Sequence, residues 1–309
     1  MLDDFSEELI APELNNRFRA QYVGSRADIN NNPELTLHLR VFFHQSDDDG
    51  WAFDTDDQHA FTANRWNPEE WANYKRIIIN QSQRFWNGKF WLIPPAHSFH
   101  LVHYNNPNPT QQNLNSTGSY PAYSQRPEYI AGIATSYNVY CKVRITETAH
   151  RSNAHLVIES SHLNDSNFDQ FINSVRDSRG TFFNGIIRDR NVGTAHGGTR
   201  EFYQPQFIHE IGHAIGQRHV GFYSDTGMCE EVTGHASGAG HRACYEGDNL
   251  AEAGNIMGLG RDLSDFNAIP WLEIMARHTR TSRADWGIAR HRVYPRIVTG
   301  TNTIFNLRF

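Results

Sequence analysis

Cysteine is scarce in this sequence, which argues against a small fold held together by disulfide bonds. Only three cysteines occur among 309 residues, whereas disulfide scaffolds need several pairs in a short chain. Cys141 alternates with apolar residues in TSYNVYCKVRIT, and this pattern predicts a buried thiol on a strand. Cys229 and Cys244 are the candidates for a disulfide. The sequence leaves open whether they are bridged or reduced, because no secretion signal indicates the compartment.

Long apolar runs and basic clusters are also missing. No window approaches the roughly 18 apolar residues of a membrane-spanning helix. The first residues, MLDDFSEELIAPELNNRF, begin with acids and lack the pattern of a Sec-type signal peptide. The formal net charge is −6, and no run of Lys and Arg could follow a phosphate backbone. We therefore expect a soluble protein without a nucleic-acid partner, whose export would need a specialised secretion system or a leader absent from this sequence.

Hydrophobic residues make up 39% of the chain and aromatic residues 12%, enough for a packed core. Alternating apolar residues predict strands, and apolar residues at helical spacing predict helices. The first helix should begin at Asn67-Pro68, where Asn can cap and Glu70 can complete a capping box, and end near Gly88. The pattern predicts strands at 35–44, 135–148 and 155–160, helices at 68–87, around 169–178 and from 270, and a surface insertion near 105–128.

The segment FIHEIGHAIGQRHVG contains three histidines at a spacing suited to one metal ion. On a helix, His209 and His213 lie on one face, because positions i and i+4 are neighbours there. Gly216 can leave the helix with positive φ, which would bring His219 round as a third ligand. Three protein ligands leave one position open, as a catalytic zinc site requires. The sequence therefore predicts one catalytic Zn²⁺ ion.

Glu210 directly follows the first of these histidines, which places its carboxylate beside the metal. There it can take a proton from a zinc-bound water, so we predict that it is the general base of a hydrolysis. The alternative is an accidental pattern in a chain with 17 histidines. The residue frequencies make such a match rare, on the order of one in several thousand chains.

This arrangement resembles the metzincins, zinc peptidases whose long signature HExxHxxGxxH occurs here with no substitution at its fixed positions. Metzincins also carry a methionine in a tight turn beneath the metal. The segment Asn255-Ile256-Met257-Gly258, in which Met257 comes 38 residues after His219, looks like that Met-turn.

The resemblance implies an α+β fold: a metzincin-like zincin domain with a twisted mixed sheet, a backing helix and an active-site helix. A smaller C-terminal part would hold the Met-turn and a further helix. The resemblance covers roughly residues 33–280. We therefore expect residues 1–32 to be an N-terminal extension and residues 281–309 to be a tail packed on the catalytic domain.

Two positions depart from the patterns of particular metzincin subfamilies. Leu259 stands where some members have a Tyr that stabilises the oxyanion, and Val220 follows the third histidine where several have Asp, Glu or Ser. The chain is therefore assigned to no subfamily. The oxyanion partner stays open between Tyr223, Tyr245 and the zinc ion alone.

Two weaker patterns suggest further metal sites. The acidic segment from Gln45 to Gly50 suggests a Ca²⁺ loop, but its ligand positions fit poorly, and a solvated acidic loop is the preferred interpretation. His235 and His241 lie in a Gly-rich stretch that we interpret as a cleft-wall loop with exposed histidines. A second metal site or a substrate contact is the alternative there.

The predicted function is a zinc-dependent endopeptidase acting on proteins or peptides. One alternative is a zinc hydrolase that acts on cell-wall peptides, and another is a binding protein that keeps zinc without turnover. Glu210 argues against the second, because metal binding alone does not need that carboxylate. A protease without a signal peptide or pro-segment also fits a toxin or effector that an inhibitor or immunity protein restrains.

Overall fold

The computed structural model of the protein describes residues 2–13, 15–27, 31–45, 51–53, 60–95, 102–105, 133–163, 174–176, 180–184, 189–223, 229, 239–294, 296–298 and 304–306. The strands are β1 Phe5–Ile10, β2 Arg17–Val23, β3 Glu34–Gln45, β4 Trp51–Phe53, β5 Ala60–Asn64, β6 Phe90–Ile93, β7 Val102–Asn105, β8 Ile133–Ser136, β9 Val139–Glu147, β10 Leu156–Leu163, β11 Ser174–Arg176, β12 Gly180–Asn184, β13 Arg190–Thr194, β14 Glu201–Gln204, β15 Gly287–Ala289, β16 Arg296–Val298 and β17 Ile304–Asn306. The helices are α1 Pro68–Trp86, α2 Gln206–Ala214, α3 Ala239–Glu246, α4 Leu250–Ala253 and α5 Ile269–Thr279.

A twisted mixed sheet forms the main layer, with a central path in the order β11-β12-β10-β3-β9-β6-β15. Strand β3 runs parallel to β9 and β10, and β10 runs parallel to β12. The other neighbours along this path are antiparallel. The described residues thus confirm the predicted α+β class and mixed sheet.

Strand β3 lies at the centre of the core because its apolar residues alternate with polar ones. Leu35, Leu37, Leu39 and Val41 are fully buried, whereas the residues between them are half-buried. Burying one such side chain stabilises the fold by roughly 1.5–3 kcal/mol relative to leaving it exposed. The alternation therefore gives β3 one fully buried face, in agreement with the predicted half-buried strand.

Helix α1 begins and ends where the sequence predicted. Asn67 Oδ1 accepts a hydrogen bond from Glu70 N at 2.8 Å, and the Glu70 carboxylate accepts one from Asn67 N at 3.3 Å. Gly88, just beyond the helix, has φ +67°. The buried residues Tyr74, Ile78, Ser82 and Trp86 recur every fourth position and form the face that covers the sheet.

The first 32 residues contribute two strands to the main sheet. Strand β1 pairs with β2, and β2 pairs antiparallel with the first half of β3, with Arg19 opposite His38. Towards the other end of the chain, β15 pairs with β6, and Trp286 is buried in the main core. The segments predicted to flank the catalytic domain, residues 1–32 and 281–309, therefore both contribute strands to the main sheet.

Two predictions of local structure were wrong. Ser174–Arg176, part of the predicted helix around 169–178, form β11, because antiparallel pairing with β12 outweighs local helix propensity. The Gly-rich stretch interpreted as a loop contains α3, which begins at Ala239. The rest of the 169–178 segment, residues 46–50 of the acidic segment, His235 and residues 106–128 lie outside the described residues, as does the His241 side chain. No helix of the described residues is long and apolar enough to cross a membrane.

Candidate metal centre

Helix α2 carries the first two predicted ligands, His209 and His213, with Glu210 between them. Its other side is apolar: Ile208, Ile211 and Ala214 are buried, as the sequence predicted. Helix α1 backs it, because Trp86 Nε1 donates a hydrogen bond to Ile208 O at 3.1 Å. Burial on one side and packing against α1 thus hold both histidines on the opposite side of α2.

The chain turns at Gly216, as the sequence predicted. Gly216 has φ +94°, a conformation that residues with a Cβ rarely adopt. Beyond it, Gln217 N donates to Gly212 O at 3.0 Å, and the Gln217 side chain donates to Asn267 O at 2.8 Å. These bonds bring the chain back past the end of α2 and place His219 beside the two helical histidines.

The Nε2 atoms of the three histidines converge. His213 Nε2 lies 3.0 Å from His209 Nε2 and 3.2 Å from His219 Nε2. Two nitrogens that each bind one tetrahedral zinc ion at about 2.0–2.1 Å are roughly 3.3 Å apart. His209 and His213 are 2% and 4% exposed, so water hardly competes for their nitrogens. The three histidines therefore fit a single metal ion.

The opposite ring nitrogens of His209 and His213 have acceptors within the protein. His209 Nδ1 lies 2.7 Å from Ile256 O, and His213 Nδ1 lies 2.5 Å from Glu13 Oε2 and 3.0 Å from Gln217 O. We assign the Nδ1 protons from these acceptors. An imidazole that keeps its proton on Nδ1 presents the lone pair of Nε2 to a metal.

The two helical histidines have pKa values shifted in opposite directions. Burial, and then the neighbouring His213, lower the pKa of His209, which favours the neutral form that binds a metal. Burial alone would lower the pKa of His213 as well, but the carboxylate of Glu13 outweighs burial and raises it. The charge of Glu210 also contributes to raising the pKa of His213.

Met257 packs against α2 at Gly212. It is fully buried, and a Cβ added to Gly212 would lie 2.6 Å from its Sδ. The turn is closed by Gly258 N, which donates to Asn255 O at 2.9 Å, and Asn255 Oδ1 accepts from Met257 N at 2.8 Å. The preceding carbonyl, Ile256 O, is the acceptor for His209. The turn therefore orients the His209 ring through its backbone.

Two polar residues at the centre were missed by the sequence interpretation. Glu13 comes from the turn between β1 and β2, and Gln204 ends β14. Gln204 Nε2 donates to Gly258 O at 2.5 Å and to Ile256 O at 3.3 Å, which ties β14 to the methionine turn. Neither residue belongs to a motif or a periodic pattern. Of the two, only Gln204, two residues before α2, is near the histidines in sequence.

Of the two candidate tyrosines, Tyr245 lies beside the ligands. Its ring centroid is 4.1 Å from that of His219 and 5.9 Å from that of His209. Tyr223 instead stacks on Phe266 at 6.1 Å, and burial raises its pKa.

Cys229 and Cys244 form a disulfide, which settles the question that the sequence left open. Cys244 directly precedes Tyr245 in α3. The disulfide therefore tethers α3 where that helix approaches the centre. Cys141 is a buried free thiol, as predicted.

Compared with family models, with curated proteins and with solved structures, the chain matches none of them.

Proposed function

We propose that the protein is a zinc-dependent metallopeptidase of the metzincin type that hydrolyses peptide bonds in proteins or peptides. The observation that carries the proposal is the convergence of three imidazole Nε2 atoms, two of them on the helix that also carries Glu210. A structural zinc site usually takes four protein ligands, whereas three ligands with an adjacent general base are typical of a hydrolytic site.

Bound zinc would polarise the scissile carbonyl and lower the pKa of a water molecule to about 7. His209, His213 and His219 would hold the ion through Nε2, while Nδ1 of His209 and Nδ1 of His213 lie against acceptors of the protein. Glu210 accepts a proton from the attacking water on its carboxylate and passes it to the nitrogen of the leaving amine. Tyr245, whose ring lies against His219, is the candidate to donate a hydrogen bond to the oxyanion.

The order of parts along the chain supports the metzincin assignment. A backing helix, α1, precedes the ligand helix, α2, and the turn with Met257 follows and passes beneath α2. Helix α5 comes after that turn and is buried along most of its length. This order supports the proposal, because it is the order that the resemblance implies.

The first test concerns the metal. Purified protein should contain about one zinc ion per chain, and His213→Ala should lose most of its affinity, because two ligands cannot complete the site. Elemental analysis and chelator competition measure both quantities. Carefully purified protein that binds no transition metal contradicts the proposal.

The second test separates metal binding from turnover. Glu210→Gln keeps the size of the side chain but removes its basicity, so folding and zinc content should remain near those of the wild type. Cleavage of peptide libraries and unfolded proteins should fall by about 10²- to 10⁴-fold, mainly in kcat. Glu69→Gln, the same change at an exposed position of α1, is the matched control and should cleave at the wild-type rate.

Wild-type cleavage by Glu210→Gln would remove this carboxylate from the mechanism. Loss of zinc in that variant would show that the carboxylate has a structural role. If the wild type cleaved ordinary peptides poorly but cell-wall peptides well, the substrate class would change and the mechanism would stand. If neither protein cleaved any peptide, the chain would be a zinc-containing binding protein.

A further inference from the structure

The turn between β1 and β2 packs against the end of the ligand helix. Asn16 Nδ2 donates a hydrogen bond to Ala214 O, the last residue of α2, at 2.9 Å. A Cβ at Gly216 would lie 3.4 Å from Cζ of the buried Phe18. Residues from the beginning of the chain therefore hold the segment in which α2 ends and the chain turns towards His219.

Within this turn, one carboxylate contacts two of the three ligands. Glu13 Oε2 lies 2.5 Å from His213 Nδ1 and 3.9 Å from His219 Nδ1. Its other oxygen, Oε1, accepts a hydrogen bond from His219 N at 3.3 Å. The Glu13 side chain is only 17% exposed.

We infer that Glu13 is a positioning residue of the metal centre, an inference that rests on the metal site of the proposed function. By accepting the Nδ1 proton of His213, Glu13 holds the ring so that Nε2 points at the ion and makes that nitrogen a stronger donor. Through His219 N, Glu13 also holds the backbone of the third ligand. Its negative charge partly neutralises a divalent cation that three neutral imidazoles would leave uncompensated.

The hairpin that carries Glu13 is anchored independently of the metal centre. Asp4 accepts hydrogen bonds from Gly24 N and Ser25 N at 2.7 and 2.9 Å, and Glu7 pairs with Arg277 and His278 on α5. Removing the Glu13 carboxylate should therefore leave β1 and β2 in place. Glu7→Gln offers a matched control, because it makes the same change in the same hairpin without contacting a ligand.

The experiment measures the affinity of the full chain for Zn²⁺ alone, by competition with a chromophoric chelator, and the visible absorption of the Co²⁺-substituted protein. Glu13→Ala should bind Zn²⁺ about 10- to 100-fold more weakly than the wild type and should shift the Co²⁺ bands. Glu13→Gln, which can still accept a hydrogen bond but has no charge, should show a smaller loss. Glu7→Gln should bind both metals as the wild type does.

Thermal unfolding of the metal-free variants separates positioning from general loosening of the hairpin. The inference expects metal-free Glu13→Gln and Glu7→Gln to unfold at similar temperatures, and only Glu13→Gln to lose metal affinity. Wild-type affinity and Co²⁺ bands in Glu13→Ala would overturn the inference. Equal loss of affinity in the Glu7 and Glu13 variants would overturn it as well.

The metal-binding experiment uses no substrate. Failure of the proposed function would therefore give a different result from failure of the inference about Glu13. A wild type that binds Zn²⁺ but cleaves no peptide would refute the peptidase activity, and the comparison of Glu13 variants would still decide the role of Glu13. A wild type that binds neither metal would overturn both.

Discussion

Each imidazole of the candidate centre has different surroundings at the residue scale. His209 donates to a backbone carbonyl, His213 faces a carboxylate, and His219 packs against the ring of Tyr245. A carbonyl cannot be removed by a side-chain substitution, whereas a carboxylate and a phenol can. Single substitutions at Glu13 and Tyr245 can therefore separate orientation of the ligands from chemistry on the substrate.

Tyr245→Phe should keep zinc and lower kcat. If the phenolic hydroxyl donates to the oxyanion, its loss should cost about 10²- to 10³-fold in kcat, as removal of one oxyanion donor does elsewhere. Steady-state kinetics on a peptide substrate measure this change. Tyr223→Phe is the matched control and should turn over as the wild type does, because the Tyr223 ring packs on Phe266. A Tyr245→Phe variant with wild-type kcat would leave the oxyanion to the metal alone.

Met257→Leu should keep the metal. Met257 is fully buried and lies against α2 without taking part in the three-histidine cluster. A swap that conserves volume in a core usually costs less than about 1.5 kcal/mol. Elemental analysis and urea unfolding check both expectations, with His213→Ala as the comparison that loses metal. A Met257→Leu protein without metal would show that the assignment of the turn is wrong.

At the element scale, α2 is packed between α1 and the methionine turn, and Gly212 lies at both contacts. Gly212 leaves room for both neighbours: an added Cβ would lie 2.6 Å from Met257 Sδ and 2.8 Å from Trp86 Cζ2. The close approach lets Trp86 reach the backbone of α2 and brings the turn under the ligands. The unspecified position just before His213 in the zinc signature is therefore restricted by packing.

Gly212→Ala should destabilise the protein even though Ala favours a helix. The gain in helix propensity is about 0.5–1 kcal/mol, whereas overpacking of a core costs about 1–3 kcal/mol. Urea unfolding measures the net loss. Combining Gly212→Ala with Met257→Ala should cost less than the sum of the single variants, because the truncated Met257 makes room for the new methyl group. Additive costs would refute the contact.

At the scale of the whole molecule, the central sheet contains a histidine that resists protonation. His38 on β3 is half-buried, and its Nε2 lies 2.8 Å from Thr146 Oγ1 on β9. Burial is the largest cause that lowers its pKa from 6.5 to about 4, and nearby positive charges add to it. These charges belong to Arg144, His155, Arg40 and Arg19.

Stability should therefore fall in mild acid. The unfolded chain takes up a proton at His38 near pH 6.5, but the folded protein does so only near pH 4. The stabilisation from a neutral His38 is present above pH 6.5 and is lost as the pH falls from about 6.5 towards about 4. Urea midpoints across this range should decline less steeply in His38→Gln than in the wild type. His150→Gln, at an exposed position, should decline as the wild type does. Equal slopes in all three proteins would rule out His38.

The sequence predicts a structural feature of this protein well when the residues that form the feature are close together in the chain. The capping box of α1, the alternation along β3 and the turn at Gly216 were predicted correctly, because each depends on residues a few positions apart. The helix around 169–178 was predicted incorrectly where β11 pairs with β12. There the pairing with a neighbouring strand determined the structure. The sequence of a short segment does not show which strand it will pair with.

The sequence by itself determined that three histidines which could hold a metal ion lie close together, because helical periodicity brings His209 and His213 to one face and the turn at Gly216 returns His219 to them. Only the tertiary structure decided what surrounds them. Glu13 reaches His219 across 206 positions of sequence, and Ile256 O reaches His209 across 47. Such contacts arise where the β1–β2 turn and the methionine turn pack on α2. Packing of distant elements creates hydrogen bonds without leaving a periodic pattern in the chain.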